Sequence, residues 1–193
     1  YTTVGGGVGN YAHGEAATIG GGANNLSDGP YATVPGGREA KPSQYGQLAH
    51  AAGMFINPGD AQHSIFILRG LTDPATPTTQ LALDGGGTML AIQPNQTLAF
   101  DILLVARANP NVPPGTDSLG FHITGVVKDM NGTATFVGSP TYTTLGTDPV
   151  AWSVQLLLAG NKLTIDASGN TSSSGSLTTV RWVARVDAAD VSW

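Results

Sequence analysis

Hydrophobic and polar positions follow a short, regular repeat at the start of the chain. A β-branched pair followed by a glycine-rich run recurs every fifteen residues, at Thr3-Val4, Thr18-Ile19 and Thr33-Val34. Such a pair favours a short strand, and the glycines permit the positive φ of a sharp turn. Because one coil of this length cannot bury its own apolar face, the period predicts rungs that stack on one another or on neighbouring chains.

The repeat loses its phase after Pro42, and residues 46–55 read as a degenerate last rung. The turn sequence Asn57-Pro58-Gly59-Asp60 follows. We therefore predict two domains, a glycine-rich β-repeat shaft over residues 1–57 and a head over residues 58–193. A flexible glycine linker is the alternative for the first part, but a linker has no reason to keep β-branched pairs in a fixed register.

The rest of the chain consists of short β patterns separated by turn residues, which is typical of an antiparallel β-sandwich of jelly-roll type. Asn131-Gly132 is the strongest hairpin signal among the turns. The predicted strands cover residues 64–71, 79–83, 89–92, 97–108, 120–128, 133–137, 141–145, 152–158, 162–167 and 177–187.

Three of these strands are apolar on both sides. Residues 120–128 alternate between apolar and polar side chains, whereas residues 65–68, 102–106 and 156–158 do not. A strand of an antiparallel sandwich needs only one apolar side, so the second side must be covered by another surface. We predict a buried interface between subunits there, and loops of the same chain are the alternative.

Composition narrows the class of protein. The chain has only two Glu and three Lys but 27 Gly, and this shortage of strong helix formers indicates an all-β fold. A net charge of −5 without a basic cluster argues against nucleic acid and anionic membrane as partners. The absence of cysteine excludes disulfides and thiolate metal sites, and no apolar run is long enough for membrane insertion.

The sequence offers few side chains that could form a catalytic or metal-binding site. A glycosidase needs two carboxylates about 5 to 10 Å apart, but residues 58–193 contain no Glu and their Asp residues are scattered along the sequence. The four histidines are also far apart, so we expect no metal site and no cofactor. Three copies of His50 or His63 could still meet on a three-fold axis, although a structural role is the simpler expectation. The prediction at this point is a protein that is not an enzyme.

The fifteen-residue repeat resembles the shaft repeats of phage tail fibres and the head repeats of trimeric autotransporter adhesins, which are usually one residue shorter. Residues 59–62, 98–107, 125–128 and 179–186, together with Trp152 and Val154, resemble the head domain of phage tail-fibre and tip proteins. The resemblance implies a homotrimer at the outer end of a virion tail fibre, outside the host cell and attached to upstream fibre segments. It would bind a polysaccharide or protein receptor on a host bacterium. A bacterial trimeric adhesin head and a depolymerase tailspike that cleaves polysaccharide are the alternatives.

Recognition residues concentrate on loops that a rigid scaffold presents. The longest connections without periodicity are residues 109–118, which contain Pro110, Pro113 and Pro114, and residues 146–151 and 168–176. Saccharide sites also favour an exposed aromatic ring. The candidate receptor-binding residues are Asn109, Asn111, Asp117, Tyr142, Asp148, Asn170 and Ser173.

Overall fold

The computed structural model describes residues 1–111 and 116–193, and the predicted all-β fold is confirmed. None of the described residues belongs to a helix that could span a membrane. The strands are β1 (Thr3–Val4), β2 (Tyr11–Ala12), β3 (Thr18–Ile19), β4 (Leu26–Ser27), β5 (Thr33–Val34), β6 (Leu48–His50), β7 (Ala61–Thr72), β8 (Thr78–Gln80), β9 (Leu90–Ala91), β10 (Gln96–Ala108), β11 (Ser118–Met130), β12 (Thr133–Phe136), β13 (Thr141–Thr147), β14 (Ser153–Ala159), β15 (Lys162–Ser168) and β16 (Val180–Ser192).

The fifteen-residue period becomes a ladder of parallel strands. Thr3 of β1 lies opposite Thr18 of β3, which lies opposite Thr33 of β5, and β2 pairs with β4 in the same parallel sense. Ile19, Val34 and several alanines of successive rungs form a small apolar cluster with no exposed surface at Ile19 and Val34. The rungs therefore cover this apolar surface by stacking within one chain.

An asparagine ladder also links the rungs. The Asn25 side chain accepts a hydrogen bond from the backbone N–H of Ala40 and donates to the carbonyls of Gly21 and Gly37. Asn10, fifteen residues earlier, accepts from the backbone N–H of Asn25 at 3.0 Å. These bonds satisfy backbone groups inside the turns, which stabilises the stack. The ladder was not predicted from the sequence, although Asn10 and Asn25 are separated by the fifteen residues of the repeat.

One sheet continues from the ladder into the rest of the chain. β6 pairs in parallel with β5 on one side and antiparallel with β7 on the other. The order of the ten-stranded sheet is β1-β3-β5-β6-β7-β16-β10-β11-β12, and β13 also pairs with β11. The predicted division at residue 57 falls between β6 and β7, and a division into two domains stays a prediction.

A second, smaller sheet covers one face of β7, β16, β10 and β11. Its order is β14-β15-β8, with β9 also paired to β15. The core between the two sheets contains the completely buried side chains of Trp182, Leu104 and Ile165. On β11, Gly125 makes room for a ring, because an added Cβ would lie 2.6 Å from the Phe100 side chain.

All ten strands predicted after residue 58 are present, with ends that differ by a few residues. Asn131 and Gly132 both have positive φ, as the hairpin signal requires. Of the segments that are apolar on both sides, those in β7 and β10 expose their second side on the same face of the large sheet, which we call the outer face. Leu157 of β14 is exposed on the small sheet instead, so the three segments do not share one surface.

Candidate functional site

Four chain connections gather at one end of the two sheets. The register places the end of β7 and the end of β10 beside the start of β16, and the start of β11 beside the end of β13. The same end of the small sheet holds the start of β14 and the end of β15. The loops after β7, β10, β13 and β15 therefore lie together, and we call this region the loop end.

Hydrogen bonds between loops fix the loop end. The Asp117 carboxylate accepts from the backbone N–H of Ser173 at 2.9 Å and from its hydroxyl at 2.8 Å. The Asp148 carboxylate accepts from the backbone N–H of Ser118 at 2.7 Å. The Trp152 indole N–H donates to the carbonyl of Thr171 at 2.7 Å. The three loops that sequence analysis selected are thus joined to one another.

Six of the seven candidate residues lie at the loop end. Asp117 is only 4% exposed, so its carboxylate is occupied in holding Ser173. The side-chain oxygen of Asn170 accepts a hydrogen bond from the hydroxyl of Thr171, and the backbone carbonyl of Asn170 accepts one from the N–H of Thr178. Asn109 and Asn111 lie at the end of β10, where the Asn109 side chain accepts from the N–H of Asn111 at 3.0 Å.

Tyr142, the seventh candidate, lies near the start of β13, at the end of the strand away from the loop end. Its hydroxyl accepts a hydrogen bond from the backbone N–H of Leu156 at 2.9 Å, while its ring stays partly exposed. Pro113 and Pro114, which we expected to stiffen the first loop, lie outside the described residues. The receptor-binding role of all seven candidates stays a prediction.

A cleft of about 460 Å³ opens at the loop end. Two arginines from neighbouring strands, Arg107 of β10 and Arg181 of β16, line it together with Leu71, Asn109, Pro110, Asn111 and Thr179. Both arginines are exposed. Neither arginine was among the residues predicted from the sequence, although each is a charged residue close to the end of a strand that borders an irregular loop.

The two arginines are directly opposed across the sheet, because Arg107 and Arg181 are Cα partners in the antiparallel register. Within the described part of the chain, neither has a carboxylate within 4 Å. Like charges directly opposite each other on neighbouring strands are destabilising. The cleft therefore has an uncompensated positive charge in a molecule whose net charge is −5.

Two carboxylates are opposed in the same way on the outer face. Asp101 of β10 and Asp187 of β16 are Cα partners, so their Cβ atoms are about 5 Å apart. His122 lies 2.9 Å from the Asp101 carboxylate, and His63 lies 2.5 Å from the Asp187 carboxylate. The prediction that the aspartates are scattered is therefore wrong for this pair, since Asp101 and Asp187 are 86 positions apart in the sequence but neighbours in the structure. Among the described residues, no group of three or more His, Asp or Glu side chains is arranged to hold a metal ion.

Comparisons with known proteins give matches among solved structures. No family model matches, and no curated protein matches. Among solved structures, the chain is similar to the tailspike protein gp49 of Acinetobacter baumannii bacteriophage Fri1, a capsular polysaccharide depolymerase. That match has 11% identity and a TM-score of 0.37, over 93% of this chain and 36% of that one.

Two further solved structures are also tailspikes of Acinetobacter phages. The tailspike of Acinetobacter baumannii phage AM24 matches with 14% identity and a TM-score of 0.33, over 89% of this chain and 39% of that one. The tailspike of Acinetobacter phage vB_ApiP_P1 matches with 9% identity and a TM-score of 0.28, over 92% of this chain and 41% of that one. The chain thus spans about two fifths of the length of these proteins.

One expectation is corrected by these comparisons. Sequence analysis predicted that the chain is not an enzyme, and the similarity to a protein that is a capsular polysaccharide depolymerase contradicts that prediction. The sequence argument was based on scattered aspartates, and the pairing of Asp101 with Asp187 removes that basis as well.

Proposed function

We propose that this chain is the receptor-binding end of a phage tail fibre or tailspike and binds polysaccharide on the surface of a host bacterium. In this proposal residues 1–57 form a β-roll shaft, residues 58–193 form a jelly-roll-like head, and three copies assemble in the virion tail. The observation that carries the proposal is the loop end, where three irregular loops and a cleft are held by hydrogen bonds on a rigid pair of sheets.

The outer face supports assembly with further copies of the chain. Ile67, Leu103, Val105 and Val183 are exposed there, and the exposed side chains of Phe55, Ile56 and Trp193 lie near Val191 at the other end of the face. Monomeric proteins rarely expose apolar patches larger than a few hundred Å².

Charges on the outer face favour a second copy as its occupant. The face carries Arg185, which has no carboxylate within 4 Å among the described residues, and the opposed acids Asp101 and Asp187. A rotated copy could bring its acids to this arginine, which would offset the repulsion between the paired acids. Three copies related by rotation would present three loop ends, and such multivalency strengthens binding to a repetitive polysaccharide.

Replacing Leu103 with glutamate is expected to break the trimer into monomers. Leu103 is 42% exposed and lies opposite Arg185, so a glutamate there keeps the fold but introduces a charge into the proposed interface. Light scattering should give one third of the wild-type molar mass. The matched control is Leu157→Glu, since Leu157 is 38% exposed on the opposite sheet and this variant should keep the wild-type mass. An unchanged mass for Leu103→Glu would exclude the outer face as the interface.

Polysaccharide cleavage is a second candidate function, favoured by the opposed pair Asp101 and Asp187. It requires these acids to be open to substrate, so it is an alternative to their burial between copies. Glycosidases hold two carboxyl groups about 5 to 10 Å apart, one acting as the acid and the other as the base or nucleophile. The Cβ atoms of directly opposed strand residues are about 4.5 to 5.5 Å apart, which lets their carboxyl groups reach that range. His63 and His122 each lie within hydrogen-bonding distance of one of these carboxylates.

Binding to encapsulated bacteria tests the proposed function. The labelled chain is incubated with a panel of encapsulated strains that includes Acinetobacter, together with capsule-free mutants. We expect binding to at least one encapsulated strain and a loss of roughly tenfold or more in Asn111→Trp, which fills the mouth of the cleft. Asn57→Trp adds the same bulk far from the loop end and should bind normally.

Incubation with purified capsule distinguishes the two candidate functions. Release of new reducing ends from purified capsule would establish cleavage, and retention of intact capsule would leave binding alone. Equal binding to encapsulated and capsule-free cells would contradict a polysaccharide receptor. Normal binding by Asn111→Trp would contradict the loop end as the binding region.

A further inference from the structure

The two-arginine cleft at the loop end has the composition of a site for an anionic group. Arg107 and Arg181 project from adjacent positions of neighbouring strands, and like charges in that position repel each other. A bound oxyanion between them would turn this repulsion into attraction. The planar guanidinium groups can each donate two parallel hydrogen bonds to a carboxylate or a phosphate.

The chain itself does not supply that anion within its described part. Asp117 at the loop end is occupied by Ser173, and Asp148 by the N–H of Ser118. No carboxylate among the described residues lies within 4 Å of Arg107 or Arg181. The positive charge therefore remains available to a ligand.

The remaining lining of the cleft suits a sugar ring. The Asn111 side chain and the Thr179 hydroxyl can form hydrogen bonds with sugar hydroxyls, and the Asn109 amide is nearby. Leu71 and Pro110 provide apolar surface for the C–H face of the ring. A cleft of about 460 Å³ is of the size that holds a small ligand.

We infer that this cleft binds a sugar residue that carries an anionic group, a carboxylate or a phosphate, with Arg107 and Arg181 holding that group. The inference rests on the proposed function and gives its receptor a chemical class, an acidic polysaccharide. Binding depends on two exposed guanidinium groups, so its affinity falls as the ionic strength rises.

Saturation-transfer NMR tests the cleft directly with three probes: sodium glucuronate, glucose 6-phosphate and glucose. We expect one or both anionic sugars to bind, whereas glucose binds at least about tenfold more weakly. The comparison of glucuronate with glucose 6-phosphate identifies which anionic group fits. Equal binding of glucose and both anionic sugars would overturn the inference.

Arg181→Gln and Lys162→Gln form the pair of variants. Both residues are exposed cations that lack a carboxylate within 4 Å in the described chain, but only Arg181 lines the cleft, and Lys162 begins β15 at the opposite end of the small sheet. Arg181→Gln should weaken binding of the anionic sugar about tenfold or more, and Lys162→Gln should change it less than about twofold. An equal loss in both variants would show attraction by general charge and overturn the site.

The outcome on cells separates this inference from the proposed function. If Arg181→Gln binds encapsulated cells as the wild type does, the inference fails and the proposed function stands. If the wild type binds no cells but binds glucuronate through Arg181, the proposed function fails and the anion site stands. A lower molar mass for Arg181→Gln would assign the arginine to the contact between copies, and this result would also overturn the inference.

Discussion

Replacing Gly22 with alanine is expected to unfold the repeat region at a temperature where the wild type is fully folded. Gly22 has a φ of +90°, which costs an L-residue about 1 to 2 kcal/mol. An added Cβ would also lie 2.0 Å from the carbonyl oxygen of Gly37 in the next rung. Because that atom belongs to the backbone of a stacked rung, relief requires the rungs to separate. We expect a total loss of about 3 kcal/mol or more.

Gly21→Ala is the matched control for this prediction. Gly21 is the preceding residue of the same glycine run, it does not have positive φ, and an added Cβ would meet no atom within 4 Å. The free energy of unfolding of Gly21→Ala should stay within about 0.5 kcal/mol of the wild-type value. Thermal unfolding followed by circular dichroism measures both variants. Similar unfolding temperatures for Gly22→Ala and Gly21→Ala would contradict the stacked ladder.

Asp190→Asn is expected to stabilise the protein above neutral pH. Asp190 is 6% exposed, and burial raises the pKa of its carboxyl group to about 6. Hydrogen bonds from Gln62 and Ser64 and the electrostatic effect of His63 lower this pKa, but by less than burial raises it. The Gln96 amide also donates to Oδ2 at 3.0 Å, whereas Oδ1 is buried with no partner in the described chain. The ionised carboxylate is therefore poorly compensated in the folded state.

The direction of the pH effect follows from the raised pKa. Between about pH 4 and pH 6 the folded state keeps a proton at Asp190 that the unfolded chain has lost, so stability falls as the pH rises through this window. A pKa of about 6 against the ordinary 3.8 corresponds to a loss on the order of 3 kcal/mol above pH 6. Asparagine is neutral at every pH and avoids this loss.

Chemical denaturation at pH 4 and pH 8 measures this effect. Asp190→Asn should be about 2 to 3 kcal/mol more stable than the wild type at pH 8 and nearly equal to it at pH 4. Two other carboxyl groups have a lowered pKa. Burial alone would raise the pKa of Asp60, but hydrogen bonds from the N–H groups of Asn57, Ile56 and Phe55 lower it by more. Hydrogen bonds from Thr76 and Ala75 lower the pKa of Asp73. These groups favour the folded state at high pH in both proteins, so they cancel in the difference. A difference that does not change with pH would contradict an ionised, buried Asp190.

Local patterns were enough to predict the strands. The fifteen-residue period fixed the parallel register of Thr3, Thr18 and Thr33, because each copy carries the same β-branched pair and the same glycines. The turn at Asn131-Gly132 was predictable because few residues accept two successive positive φ values. In β11 the alternation of apolar and polar residues correctly predicted the face that contains the buried side chains of Ile123 and Val127.

The candidate site depended on information that no local pattern contains. Arg107 meets Arg181, and Asp101 meets Asp187, only because β16 pairs with β10 over a long separation in sequence. The register between two strands that are distant in sequence depends on which face of each strand is buried in the core of the folded chain. The loop end could be predicted in part, since irregular loops were identified, but their contacts through Asp117 and Asp148 could not.

Molar mass in solution tests the central claim most directly, because the covering of the outer face and the multivalency of the loop ends both depend on assembly. The chain has a mass of 19.6 kDa, so a trimer has three times that mass, about 59 kDa. Light scattering should give about 59 kDa, and the value should persist on roughly hundredfold dilution. A mass near 19.6 kDa at every concentration would contradict the account, since the outer face would then be stable in water without a partner.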